Sequence, residues 1–232
     1  MGNFTDADGV FDGSMYIENS ALTTLDGMQP VRRVNGSLGV RFNDDLLDIA
    51  ALQSLEAVDG RLTIQNNRLL RSLDGLGSLG FVLTQFYVMN NTALEKIDGL
   101  DALNSTYGSF VIADNSPSLT SVELNNLESV GLGYNADDYF FNSLTFEGNS
   151  ALRSVSLASL QATAGDFDFM DNPNLVDVRA EGLRSCNSFT FQNNSLGPTL
   201  TVRSRTRAPA ILSLFHFRAG SHTSFLGDVS GD

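Results

Sequence analysis

Asparagine recurs at Asn19, Asn43, Asn67, Asn91 and Asn115, each 24 residues after the last, and again at Asn149, Asn172 and Asn194 after steps of 34, 23 and 22. From the second copy on, a large apolar residue stands three positions earlier: Val40, Ile64, Val88, Ile112, Phe146, Phe169 and Phe191. Two positions before that stands another: Leu38, Leu62, Phe86, Phe110, Leu144, Phe167 and Phe189. The first copy, with Met15 and Ile17, reads as one residue shorter. A unit this short cannot bury its apolar face alone, so copies must stack on one another. The two apolar residues alternate with period two, which is a short strand with one face inward. A solenoid of about eight coils of about 24 residues follows, all-β and with parallel strands.

After each asparagine, apolar residues fall about every third position. The second copy runs Leu46, Ile49, Leu52, Leu55 and Val58. A coil of this length has no room for a long helix, so the spacing reads as short strands and corners of a flattened β-helix. The asparagines read as an internal ladder. At a corner the backbone leaves the sheet, and an inward amide supplies the donors and the acceptor that buried N–H and C=O groups lose there. Asp-Gly pairs at Asp26-Gly27, Asp59-Gly60, Asp74-Gly75 and Asp98-Gly99 read as turns. A single carboxylate per corner is too few for calcium, so no cofactor or metal is expected.

The string Gly60-Arg-Leu-Thr-Ile-Gln-Asn-Asn-Arg-Leu-Leu-Arg-Ser-Leu-Asp-Gly-Leu76 resembles the receptor L-domain, a leucine-rich-repeat relative found in receptor ectodomains and microbial surface proteins. The resemblance spans residues 13–202, leaving 1–12 as an N-terminal extension and 203–232 as a tail or degenerate cap. It implies a right-handed β-helix and a recognition or adhesion role, extracellular or at a cell surface. The departures are a leucine usually three, not two, residues after the asparagine, and the lack of cysteine-stapled caps. The second favours the microbial type over growth-factor receptors.

Net charge is −13, made of −15 on the body and +2 on residues 203–232. Most of this surface would repel a nucleic-acid backbone or an anionic membrane, so neither is expected as a partner. Cys186 is alone, which excludes an internal disulfide. Met1 to Asp6 show neither a signal peptide nor a myristoylation pattern, and no apolar run reaches the length of a membrane helix. The sequons at Asn3, Asn35, Asn90, Asn104 and Asn193 are about as many as chance supplies, and say nothing of secretion.

Outward strand positions read Ser37, Gly39, Arg41; Arg61, Thr63, Gln65; Gln85, Tyr87, Met89 and onward, a small and polar face without the threonine array of an ice-binding surface. Asp166 and Asp168 lie about 7 Å apart along one strand face, with Glu147 diagonal to them, which is the arrangement an acid–base polysaccharide enzyme would need. Both histidines, His216 and His222, fall in the tail. The 34-residue step forces ten extra residues off the coil. Its loop offers Tyr134, Asn135, Asp137, Asp138 and Tyr139 as ligand-binding residues.

The leading expectation is therefore a non-catalytic, monomeric module that binds a protein or glycan ligand. The alternatives are a carbohydrate-active enzyme using Asp166, Asp168 and Glu147, and a structural spacer domain. Extending the register from Phe189 predicts a ninth, capping strand near Ile211–Phe215.

Overall fold

The computed structural model describes residues 5–132 and 142–195, with the backbone of two further strands, Thr199–Thr201 and Ser224–Phe225. It is an all-β solenoid in which every sheet pairing is parallel. Three sheets run along it. One has eight strands of four residues, Met15–Glu18, Leu38–Arg41, Leu62–Gln65, Phe86–Met89, Phe110–Ala113, Leu144–Glu147, Phe167–Met170 and Phe189–Gln192. Seven turns therefore separate the first of these strands from the eighth. A second sheet stacks seven two-residue strands, from Val10–Phe11 to Ala162–Thr163. A third holds Ser121–Glu123, Ser154–Ser156, Asp177–Arg179, Thr199–Thr201 and Ser224–Phe225.

The eight long strands pair without offset: Met15 meets Leu38, Leu38 meets Leu62, and so on to Phe167 and Phe189. Equivalent residues of successive coils therefore form columns. Leu38, Leu62, Phe86, Phe110, Leu144 and Phe167 make one inward column, completely shielded from solvent. Its rings stack face to face at Phe86–Phe110, with centroids 4.6 Å apart. Further columns run through Leu46, Leu70, Leu94 and Leu119, and through Leu55, Leu79, Leu103 and Leu127, all buried.

The three-residue leucine spacing has a simple backbone cause. The amide of Leu46 donates to Asn43 O, that of Leu52 to Ile49 O, and that of Leu55 to Leu52 O. Each coil thus closes through a chain of i→i+3 turns, and each turn returns the same face to the core. One of them winds into a 3₁₀ turn, Ala50–Leu52, and the described residues include no α-helix.

Strand pairing reaches into both terminal segments. Val10–Phe11 pairs with Arg33–Val34, so the second sheet begins inside the expected N-terminal extension. In the tail, Ser224–Phe225 pairs in parallel with Thr199–Leu200. The capping strand expected at Ile211–Phe215 lies outside the described residues.

The Asp-Gly pairs divide into two kinds. Gly27, Gly75 and Gly99 have φ of 104°, 138° and 77°, as turn glycines should. Gly60 does not have positive φ; a Cβ there would lie 2.6 Å from the backbone of Gly36 and Ser37. It is required by close stacking of two coils and not by turn geometry.

Candidate functional site

The asparagine ladder is internal and continuous. Asn43, Asn67, Asn91, Asn149 and Asn172 are completely buried and Asn115 is 5% exposed. Asn67 Oδ1 accepts from both the amide and Nδ2 of Asn43, each at 3.2 Å, while Asn67 Nδ2 donates to Val40 O at 2.9 Å and to Asn91 Oδ1 at 3.2 Å. The same pattern recurs coil by coil to Asn194, whose Nδ2 donates to Phe169 O. It passes unbroken across the 34-residue step, where Asn115 donates to Asn149 Oδ1. These residues satisfy backbone groups inside the wall and present nothing to a ligand.

Asn19 is the exception, and here the expectation is corrected. It is exposed, with φ of 50°, and takes no part in the ladder. Ser20 takes that place, donating from its amide and hydroxyl to Asn43 Oδ1 at 3.1 and 2.7 Å. The first copy is therefore of full length, because Ile17 to Ser20 matches Val40 to Asn43. Asn19 belongs to a different column: Phe42, Asn66, Asn90, Asp114, Asp171 and Asn193 have φ between 52° and 56°, and Gly148 has 63°. One residue in each coil thus adopts the left-handed conformation at the end of its long strand, immediately before the ladder position.

The expected binding loop, with Tyr134, Asn135, Asp137, Asp138 and Tyr139, lies outside the described residues. Its base does not. A Cβ on Gly131, whose φ is 79°, would sit 2.4 Å from Asn142 Cβ, so the chain leaves and rejoins the coil at one point. Asn142 stands two residues before the long strand Leu144–Glu147, and its carbonyl accepts from Gly165 N.

On that face the structure brings the three acids together. Thr145 pairs with Asp168 and Glu147 with Met170, which sets Glu147 diagonal to Asp168 as expected. Burial raises the pKa of Asp168; a hydrogen bond with Thr190 opposes this, and the charges of Asp166 and Glu147 add to it. Asp166 Oδ1 accepts from Asn187 Nδ2 and Ser188 Oγ at 2.9 and 2.7 Å, so this carboxylate is held by neighbours. Cys186, half-buried and packed against the core, has its thiol pushed up to about 11, by burial first and then by Asp166 and Asp168. It is correspondingly poor as a nucleophile. No cluster of His, Cys, Asp and Glu among the described residues could hold a metal ion.

The other end of the same face holds an arrangement that sequence reading missed. Tyr16 and Glu18 pair with Gly39 and Arg41, and Thr63 pairs with Tyr87. The Arg41 guanidinium lies over the Tyr16 ring, 5.4 Å from its centroid, and is ion-paired with Glu18. Arg61 lies over the Tyr87 ring at the same 5.4 Å, with Nε donating to Gln85 Oε1 at 3.2 Å. Between these two stacked pairs is an open cleft of about 260 Å³, lined by Ser37, Thr63, Thr84 and Gln85 as well as the arginines. Gly39 makes it possible, because a Cβ there would meet the Tyr16 ring at 2.8 Å. Tyr16 falls on this face because it stands between the inward Met15 and Ile17.

The fold places the chain among parallel β-solenoids with a polar outward face. No protein-family model, no curated protein and no solved structure matches it. No helix among the described residues is long and apolar enough to cross a membrane.

Proposed function

We propose that this chain is a non-catalytic recognition or adhesion module, at a cell surface, that offers the outward face of its long-strand sheet to a protein or glycan. The observation that carries this reading is the face itself. Eight strands in one register sit on a fully packed core, so side chains on neighbouring coils are held at fixed spacing, about 4.8 Å per coil. Such a surface costs little ordering entropy when it binds. The resemblance of residues 13–202 to receptor L-domains supports the same role.

The test is binding of the purified chain to a glycan array and to proteins displayed from a surface proteome, beside a hydrolysis assay on polysaccharides. Specific, saturable retention without turnover is the expected result. A second reading has one observation in its favour: Asp168 is held protonated to higher pH beside two other carboxylates, as a general acid would be. Product release from a polysaccharide that is lost in Asp168→Asn would favour that enzyme over the module.

A further inference from the structure

We propose that the cleft between the Arg41–Tyr16 and Arg61–Tyr87 pairs binds a carboxylate-bearing sugar, a uronate unit of an acidic glycan. This rests on the recognition reading and names its site and ligand class.

Charge is the first argument. In a chain of net charge −13, Arg32, Arg33, Arg41, Arg68 and Arg71 each pair with a carboxylate of an adjoining coil. Arg61 has no carboxylate partner among the described residues. Its guanidinium is held from two sides, by the Tyr87 ring and by Gln85, which leaves terminal N–H donors for an anion. A guanidinium fixed in this way loses little freedom when it grips a carboxylate with two parallel hydrogen bonds.

The lining is the second. Hydroxyls of Ser37, Thr63 and Thr84 and the amide of Gln85 surround the arginines, donors and acceptors suited to a hydroxyl-rich ligand. The cleft volume of about 260 Å³ accommodates a sugar unit or two, and its open sides let a longer chain continue. An acidic peptide fits less well. Peptides that bind sheets in extended form add to an exposed edge, whereas this cleft lies on a face, over strands already paired on both sides.

Calorimetric titration with a galacturonate hexamer, its fully methyl-esterified form and a poly-glutamate peptide tests the assignment. The hexamer should bind, and esterification should abolish binding. Arg61→Ala should weaken it about tenfold or more, and Arg61→Lys by an intermediate factor, with unchanged melting temperatures. Arg153→Ala, which removes the same charge from an exposed site outside the cleft, should leave affinity unaltered. Equal weakening by Arg153→Ala, or none by Arg61→Ala, would overturn the cleft while leaving a glycan-binding module standing. Equal binding of the ester would overturn the anionic ligand, and binding of poly-glutamate alone would transfer the site to acidic peptides. No binding of either polyanion removes the inference, and the array then decides the recognition reading separately.

Discussion

Two adjacent residues of each coil do opposite jobs. The Asn67 side chain holds four hydrogen bonds inside the wall, and cutting it to alanine leaves the amide of Asn43 without its acceptor and removes a donor to Val40 O. Asn67→Ala should cost about 1–3 kcal/mol in urea unfolding. Its neighbour Asn66, at φ 56°, is there because asparagine tolerates the left-handed region. Asn66→Gly should therefore be nearly neutral, whereas Asn66→Ala should lose about 1 kcal/mol from backbone strain. Phe42 occupies the same left-handed column at φ 56° with 47% of its surface exposed, a bulky residue where the other coils have Asn, Asp or Gly. Replacing it by Asn should stabilise the fold by about 1 kcal/mol, seen as a higher urea midpoint at unchanged slope. Because asparagine suits both columns, Asn66-Asn67 and Asn90-Asn91 look alike in sequence. The 24-residue spacing therefore points to Asn19 for a ladder place that Ser20 fills.

At the scale of elements, the stacking of turns is as demanding as the strands. A Cβ on Gly75 would fall 2.2 Å from Ile49 O in the coil before it, at φ 138°, while one on Gly77 would meet nothing within 4 Å. Gly75→Ala should cost more than about 2 kcal/mol and Gly77→Ala almost nothing, measured by thermal unfolding of both. The long strands and their columns were legible in sequence, because period-two apolar residues at a fixed repeat leave one way to stack. The leucines between them were legible as buried but not as a chain of i→i+3 turns, since three-residue spacing fits several backbones. The cleft was not legible at all. It arises from Tyr16 with Arg41 and Arg61 with Tyr87, pairs that lie 25 or 26 residues apart and meet only once the coil register is known.

The acidic end of the face makes a pH expectation with a definite sign. Asp168 is harder to ionise in the folded chain than in the unfolded one, where its value is near 3.8, so the native state binds more protons across the interval above 3.8. Stability should therefore fall as pH rises through the folded pKa of Asp168. Asp168→Asn, which keeps an oxygen acceptor for Thr190, should be more stable than the parent at neutral pH, with the difference vanishing towards pH 4. Melting temperatures of both chains between pH 4 and 8 test this; parallel curves would show that the burial of Asp168 carries no cost.

The whole molecule has two ends that are not alike. At the N-terminal end of the long-strand sheet, Met15 and Ile17 are only half-buried and the strand Met15–Glu18 has a single neighbour. At the C-terminal end, Phe189 and Phe191 are 2% and 4% exposed although theirs is the last long strand among the described residues, so their rings are shielded from solvent. The third sheet also runs past the body, with Ser224–Phe225 on Thr199–Leu200. A solenoid must shield its terminal cross-section, and a strand left with one free edge is a template for another chain. Deleting residues after Arg207 removes Ser224–Phe225 and returns Thr199–Thr201 to the edge. The shortened chain should melt several degrees lower and associate, read by differential scanning calorimetry with light scattering. The full chain should remain a monomer under the same conditions. An unchanged melting temperature and mass would mean that the strand from the tail closes nothing, and that coils up to Gln192 are sufficient for the fold.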